Sequence, residues 1–232
     1  MGHLKRITIA IDGPAASGKS TTAKLVAQRL GYLHLDTGAM YRAITLGVLR
    51  QGIEVTAREK VEAFAQAADL FVEASGPKGN RILLNGIDLT AEIRSPDVTN
   101  NVSTISSYQA VRAVLVREQR KLASEGGIVL EGRDIGTVVL PKAELKIFMV
   151  AAVSERARRR KKELLMAGIE VEDEEIVKEI EERDRKDSTR EVSPLKMAPD
   201  AIKLDTSNLT IEEQVTFIVD RARKVIDAGG NA

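Results

Sequence analysis

The segment GPAASGKS at residues 13–20 constrains the fold more than any other feature, because it matches G-x-x-x-x-G-K-[ST] at every fixed position. A β-branched apolar run precedes it at residues 7–11, and a helical pattern with Leu25, Val26 and Leu30 on one face follows it. A glycine-rich loop between a strand and a helix N-terminus turns several backbone N–H groups toward a polyphosphate. The motif therefore predicts a nucleotide triphosphate site.

Two polar side chains of this loop have separate expected roles. Lys19 is expected to reach the β- and γ-phosphates and to act in catalysis, and the Ser20 hydroxyl is expected to ligate Mg²⁺. The residues expected to bind ATP are those of the loop and the start of its helix: Gly13, Pro14, Ala15, Ala16, Ser17, Gly18, Lys19, Ser20 and Thr21.

The order of strand-like and helical patterns predicts the fold class. The first helix is expected to end at Gly31, a strand to follow at residues 33–35, and Thr37 to cap a second helix. This alternation indicates an α/β fold with a parallel sheet flanked by helices. Two more buried strands are predicted at residues 127–131 and 145–150, and a short last strand at 201–204. Two more helices are predicted at residues 108–124 and 211–225.

Two segments depart from this alternation. Strand-like stretches at residues 69–74 and 81–85 flank a turn cluster at 75–80, and Asn85-Gly86 is a strong hairpin signal, which predicts a small antiparallel β insert. Residues 154–191 are highly charged, with six basic residues in the first nine, and predict a helix–turn–helix excursion with a turn near Gly168.

A chain of 232 residues fits one large domain with inserts. We expect a single P-loop kinase domain over residues 1–232, with its core at residues 1–67, 100–153 and 192–232. The β insert is expected at about 68–99 and a short helical lid at about 154–191.

Composition excludes several classes of function. Cysteine is absent and only two histidines occur, so neither a thiolate zinc site nor a histidine-rich metal site is available. A net charge of +1 creates no general attraction for nucleic acid, and no apolar run is long enough to span a membrane. Without a signal-peptide pattern, we expect a cytoplasmic protein with no nucleic-acid or membrane partner.

Other P-loop classes fit less well. A GTPase would carry the guanine-reading tetrapeptide Asn-Lys-x-Asp, which does not occur. An ATPase motor would place an acid directly at the end of an apolar strand, where Glu131 and Asp134 are the nearest candidates.

The arginines indicate a second phosphorylated ligand. Arg42 and Arg133 follow strands, at the edge where open α/β sheets bind ligands. If residues 182–190 are helical, Arg183, Asp187 and Arg190 share one face at i, i+4 and i+7. For any one of these arginines the alternative is a solvated salt bridge.

The chemistry of phosphoryl transfer indicates which class of acceptor these residues suit. Transfer to an alcohol needs a base, whereas a phosphate monoester is already mostly dianionic at neutral pH and needs only charge neutralisation. Many arginines and no well-placed histidine therefore favour a nucleoside monophosphate kinase. The alternatives are a kinase for an alcohol with a base near Asp36, and a nucleotide-binding regulator without catalysis.

Four segments together resemble the bacterial cytidylate kinase family: IDGPAASGKST at residues 11–21, LDTGAMYR at 35–42, EGRDIGTVV at 131–139 and ERDRKDSTR at 182–190. The resemblance covers nearly the whole chain. It implies ATP-dependent phosphorylation of CMP, and of dCMP, to CDP or dCDP with release of ADP, in pyrimidine nucleotide metabolism. It implies Mg²⁺ as cofactor, and we expect a monomer whose partners are these small substrates.

The resemblance also implies roles for individual residues. Arg42 and Arg133 would hold the acceptor phosphate with Thr37, and Arg133 would act in catalysis. The base would contact Ser103, Arg112 and Asp134, the sugar Arg183 and Asp187, and Arg190 would complete the arginine shell.

Some roles stay open at the level of sequence. The family would use lid arginines such as Arg156 and Arg159 over the ATP phosphates, and Arg159 is our catalytic candidate, but Arg158–Arg160 are contiguous. Ser103 has the alternative role of a helix cap. Asp36 either orients water bound to Mg²⁺ or caps the following helix, and Asp12 has the same two alternatives.

Overall fold

A computed structural model describes residues 6–75, 79–166 and 168–229. The strands are β1 (Thr8–Asp12), β2 (Leu33–Asp36), β3 (Leu70–Ser75), β4 (Gly79–Leu84), β5 (Ile87–Asp88), β6 (Ile128–Gly132), β7 (Leu145–Val150) and β8 (Ile202–Asp205). The helices are α1 (Lys19–Leu30), α2 (Thr37–Arg50), α3 (Arg58–Ala67), α4 (Pro96–Ile105), α5 (Gln109–Leu122), α6 (Val153–Met166), α7 (Asp173–Thr189) and α8 (Ile211–Gly229).

Five parallel strands form the central sheet in the order β2-β6-β1-β7-β8, which confirms the predicted α/β class. Ile9, Ile11 and Val129 are fully buried and pack in one apolar cluster with α1 and α8. The opposite face carries α2 and α5, whose apolar side chains pack against Ala10 and Leu130. Because both faces are covered, the central strands β1 and β6 have continuous apolar runs rather than alternating patterns.

The predicted antiparallel insert is a separate three-stranded sheet, β3-β4-β5. Asn85 and Gly86 form its second turn with φ angles of 51° and 77°. The predicted turn at residues 75–80 lies partly outside the described residues. Val72, Ile82 and Leu84 pack in the same apolar cluster as α2, so the insert and the core share buried surface.

Residues 153–189 form two charged helices, α6 and α7, as the composition of that segment predicts. Ala157, Ile176 and Ile180 make a small apolar cluster between them. The connection includes Gly168 at a φ of 74°. Among the described residues, no helix is both long and apolar enough to cross a membrane.

Helix ends follow partly from sequence. Helix α1 ends at Gly31, as predicted, with the glycine in the left-handed region at a φ of 65°. The N-cap of α2 is Asp36, which confirms one of the two alternatives given for this residue, and its carboxylate accepts a hydrogen bond from the Ala39 N–H at 3.2 Å. The prediction that Thr37 caps this helix is wrong. Thr37 is instead the first helical residue, and its hydroxyl donates to the carbonyl of Glu131 at 2.7 Å.

Candidate active site

A cleft of about 390 Å³ lies at the carboxyl ends of the central strands, between the P-loop, the N-terminus of α2 and the α6–α7 pair. The sequence-predicted residues that line it are Ala15, Ala16, Ser17, Gly18, Lys19, Ser20, Thr21, Thr37, Arg42, Ser103, Arg112, Arg133, Asp134, Arg183, Asp187 and Arg190. Three predicted residues do not line it: Gly13, Pro14 and Arg159.

Gly13 lies beneath the P-loop, against the backbone of β7. A Cβ at this position would approach the carbonyl oxygen of Met149 to 2.2 Å, and the φ of 154° is strained for other residues. The first glycine of the motif is therefore required by close packing of the loop on the sheet.

Lys19 lies under the loop, with its Nζ donating to the carbonyl of Pro14 at 2.6 Å and to Ser17 Oγ at 3.2 Å. Burial, followed by repulsion from Arg133, lowers the pKa of Lys19 to about 7. A phosphate placed in the loop would offset both effects, which makes this ammonium suited to a polyphosphate.

Ser20 and Glu131 form the oxygen-rich corner of the cleft. The Ser20 hydroxyl donates to Glu131 Oε2 at 2.7 Å, and Glu131 is 3% exposed at the end of β6. Mg²⁺ prefers such ligands and takes its remaining ligands from phosphates and water. Among the described residues no group of three or more His, Asp and Glu surrounds a point, so this corner would hold Mg²⁺ only together with phosphate oxygens.

From sequence, Glu131 is a candidate only for the acid of a motor protein. Its contact with Ser20 gives it a place in this site. The signal that identifies it is a carboxylate at the end of an apolar strand beside the P-loop strand, since β6 pairs with β1. Arg94 is also missed by the sequence analysis. It lines the cleft and donates to Asp36 at 3.0 Å.

Seven arginines, Lys19 and six carboxylates line the cleft. Burial, followed by repulsion from Arg183, lowers the pKa of Arg42 to about 10. Burial also lowers the pKa of Arg183, with Arg133 as the next cause, and that of Arg190, with Arg112 as the next cause. For these three arginines burial outweighs attraction to the nearby carboxylates, whereas for Arg133 attraction to Asp187 outweighs burial and raises the pKa. A dianionic phosphate would offset the effect of burial on the first three.

Arg133 and Asp187, predicted for the phosphate and the sugar, contact each other. Arg133 Nε donates to Asp187 Oδ2 at 2.8 Å, and the two side chains are 21% and 6% exposed. Arg183 Nε is buried with no hydrogen-bond partner among the described residues.

Arg190 does not share the face of a helix with Arg183 and Asp187 as the i+7 spacing predicts. Helix α7 ends at Thr189, and Arg190 has an extended backbone with φ −61° and ψ 142°. Its side chain still lines the cleft, 3.7 Å from Asp134.

Arg112 and Asp134 form a buried ion pair, with 4% and 6% of their side chains exposed. Asp134 follows β6, and Arg112 lies on α5 over the ring of Tyr41 at 5.6 Å. Ser103 lies within α4, whose N-cap is Ser95, so the alternative role of Ser103 as a helix cap is wrong. Ser103 lines the same cleft as this pair.

The lid arginines have different partners. Arg160 lines the cleft, whereas Arg158 is exposed and pairs with Glu155 at 2.7 Å. Arg156 donates to the carbonyl of Ala15 at 3.3 Å, so it supports the P-loop from behind.

Arg159 also lies behind the loop rather than in the cleft. Its guanidinium donates to the carbonyl of Ser17 at 3.1 Å and to the carbonyl of Thr206 at 2.6 Å.

Asp12 is a buried cap of the turn that carries Arg133 and Asp134. Its carboxylate accepts the N–H groups of Ile135 and Gly136 at 2.7 Å each. Burial raises its pKa to about 6, against the lowering effect of these two hydrogen bonds.

The chain is similar to known proteins over nearly its whole length. A family model described as cytidylate kinase matches residues 9–224. Proteins named cytidylate kinase are similar to it in Bacillus cytotoxicus (51% identity, over 93% of this chain and 95% of the relative), Streptococcus thermophilus (51%, 97% and 100%) and Limosilactobacillus reuteri (52%, 96% and 98%).

Proposed function

The chain belongs to the cytidylate kinase family, and on that premise we propose that it transfers the γ-phosphoryl group of ATP to CMP and to dCMP, releasing CDP or dCDP and ADP. The observation that supports this most directly is the group of seven arginines that lines the cleft beside the P-loop. Such a site suits two polyanions, and repulsion between the two is the main obstacle to transfer between them.

On the donor side, the backbone N–H groups of residues 13–20 bind the ATP phosphates. Lys19 stabilises negative charge on the transferring group, and Ser20 holds Mg²⁺ with Glu131 as its hydrogen-bond partner. When bound, Mg²⁺ supplies charge neutralisation between donor and acceptor phosphates.

On the acceptor side, Arg42 and Arg133 bind the monophosphate, assisted by Thr37. Arg183 and Arg190 add positive charge, and Asp187 accepts from the sugar hydroxyls. No general base is required, because the acceptor oxygen is already ionised at neutral pH.

At the base end, Asp134 accepts from the cytosine N4 amine, while Arg112 and Ser103 donate to its ring acceptors. Cytosine has one donor beside two acceptors, and a carboxylate beside two donors is complementary to that edge. Uracil reverses the donor and acceptor at two of these positions, so the pair of Arg112 and Asp134 selects against it.

The charged helices α6 and α7 act as the lid, within residues 154–191, and the β insert at 68–99 enlarges the monophosphate side of the core. Lid closure excludes water, which otherwise competes as acceptor. Since Arg160 lines the cleft, it is the first candidate for the lid arginine that covers the phosphates, and Arg159 reaches them only if lid closure moves it. We propose a monomer that works in the cytoplasm, where both nucleotides are available.

The test is ADP release from MgATP with CMP, dCMP, UMP, AMP, GMP and shikimate offered separately. We expect turnover with the cytidine nucleotides alone. Turnover with another monophosphate would contradict the base assignments, turnover with shikimate would favour the alcohol kinase, and ATP binding without any turnover would favour the regulator.

A further inference from the structure

His34 reaches the P-loop through Glu131, although it lies on the edge strand β2. Its Nε2 is 3.1 Å from Glu131 Oε1, and the other carboxylate oxygen accepts from the Ser20 hydroxyl at 2.7 Å. A chain of imidazole, carboxylate and hydroxyl thus runs from the edge of the sheet to the nucleotide side of the cleft. None of the roles assigned above uses the imidazole.

The imidazole is buried without full hydrogen bonding. The His34 side chain is 10% exposed, and its Nδ1 has no hydrogen-bond partner among the described residues. Burying a polar group without a hydrogen bond costs folding free energy. The contact of Nε2 with Glu131 offsets part of that cost.

The backbone around His34 is held in place from the β insert. The side-chain amide of Asn80 donates to the His34 carbonyl at 2.6 Å and accepts from the Asp36 N–H at 2.9 Å. The Asn80 amide thus forms hydrogen bonds with the outer edge of β2, as the backbone of a neighbouring strand would. The backbone that carries the imidazole is therefore fixed.

The carboxylate of Glu131 is also attracted by two cations of the cleft, so Ser20 is not the only group that influences its orientation. Electrostatic attraction links Glu131 to both Lys19 and Arg133. A glutamate has several rotatable bonds, and fixing it in one orientation costs about 1.5–2 kcal/mol of side-chain entropy. Holding one oxygen on His34 leaves the other directed at Ser20.

We propose that His34 is a positioning residue for metal-assisted nucleotide binding: by holding Glu131 against Ser20, it sets how much Mg²⁺ adds to nucleotide affinity. The inference rests on the proposed function in taking the P-loop as the nucleotide site. It requires only that Nε2 carries a proton to donate, as a neutral imidazole permits.

The test is calorimetric titration of ADP into the full chain, with excess Mg²⁺ and with excess EDTA. The readout is the ratio of the two dissociation constants. His34→Ala is expected to reduce the Mg²⁺ enhancement by about 10-fold, which is typical of losing a group that supports a metal ligand. ADP affinity in EDTA should stay nearly unchanged, and His34→Gln, with an amide N–H near the Nε2 position, should restore much of the enhancement.

Two controls separate this role from a general structural one. Leu33→Ala changes an exposed neighbour on β2 and should leave the ratio as in the wild type. In a Glu131→Gln background, His34→Ala should have no additional effect, because its action passes through Glu131.

The proposal is overturned if His34→Ala leaves the ratio unchanged, weakens ADP equally with and without Mg²⁺, or adds to the loss caused by Glu131→Gln. If any of these results is found and the wild type still phosphorylates CMP, only the role of His34 is contradicted. Wild-type protein that fails to bind ADP in either condition contradicts both this proposal and the proposed function.

Discussion

The guanidinium of Arg133 forms one short hydrogen bond, through Nε, and one long hydrogen bond, through Nη1. Nε donates to Asp187 at 2.8 Å, whereas Nη1 reaches the carbonyl of Gly132 at 3.4 Å. The weakly bonded end is therefore the part suited to a phosphate oxygen.

We expect Arg133→Ala to lower kcat by roughly 10²- to 10³-fold, the usual effect of removing one donor to developing charge. It also removes the hydrogen-bond donor of the buried Asp187, which Arg183 and Arg190 still attract, so the unfolding free energy should fall by about 1–3 kcal/mol. Steady-state kinetics and urea denaturation measure the two effects. Arg158→Ala removes an exposed lid arginine as the control, and equal kcat losses in both variants would contradict the assignment.

Asp134 permits a test of base selection. Asn at this position carries both an acceptor and a donor, so in Asp134→Asn the side-chain amide can donate to uracil O4, which the carboxylate of the wild type cannot do. We expect the ratio of kcat/KM for CMP to that for UMP to fall roughly 10- to 100-fold, the size of a lost hydrogen bond to a charged group. The ratio is independent of how much protein is folded. Equal losses with both acceptors would contradict the role of Asp134.

Titration of Asp12 is expected to change activity and stability in opposite directions as the pH changes. Its ionised form accepts two N–H groups behind Arg133 and Asp134, so kcat should fall as the pH drops through about 6. Burial raises the pKa of Asp12 from 3.8 to about 6, so its favourable contribution to folding is complete below about pH 4 and lost as the pH rises through 6.

The comparison is between wild type and Asp12→Asn at pH 4.5–7.5. The unfolding free energy of the wild type relative to the variant should decrease by about 2 kcal/mol as the pH rises over this range. The variant should have a lower kcat without the acid limb near 6. An acid limb that persists in Asp12→Asn would assign that titration to another group.

Helix α2 contains Gly47 at its closest approach to the insert and α3. A Cβ there would lie 2.5 Å from Phe64 Cζ and 2.6 Å from Leu84 Cδ2. Ala is favoured over Gly in a helix by up to about 1 kcal/mol, but relieving two overlaps in a packed core costs about 1–3 kcal/mol.

We therefore expect Gly47→Ala to destabilise the protein by about 1–2 kcal/mol in urea denaturation. Ala63→Gly, at an exposed position of α3, measures the propensity effect alone. A gain in stability for Gly47→Ala would show that Phe64 and Leu84 move aside freely.

Elements marked by local signals are predictable from sequence. The P-loop predicts α1, Gly31 ends it, and Asn85-Gly86 marks the hairpin of the insert. Helices α3 and α4 are not predicted, because α4 is rich in Thr, Asn and Ser and neither helix has a side-chain hydrogen bond at its N-cap. Their positions are set by packing on α2 and α5.

The contacts that assemble the site join residues distant in the chain. Arg133 and Asp187 are 54 residues apart, and His34 and Glu131 are 97 apart. A motif places each residue near the cleft, but only the fold determines which partner it meets. For this reason the sequence places most of the cleft residues but not the Ser20–Glu131 contact or the different positions of Arg159 and Arg160.

At the scale of the molecule, the central claim is that a phosphate monoester, rather than water or an alcohol, receives the phosphoryl group. The direct measurement is ³¹P NMR of the protein with MgATP and CMP. We predict that the β-phosphate signals of CDP and ADP grow at equal rates with no inorganic phosphate. Growth of inorganic phosphate with CMP unchanged would contradict the claim.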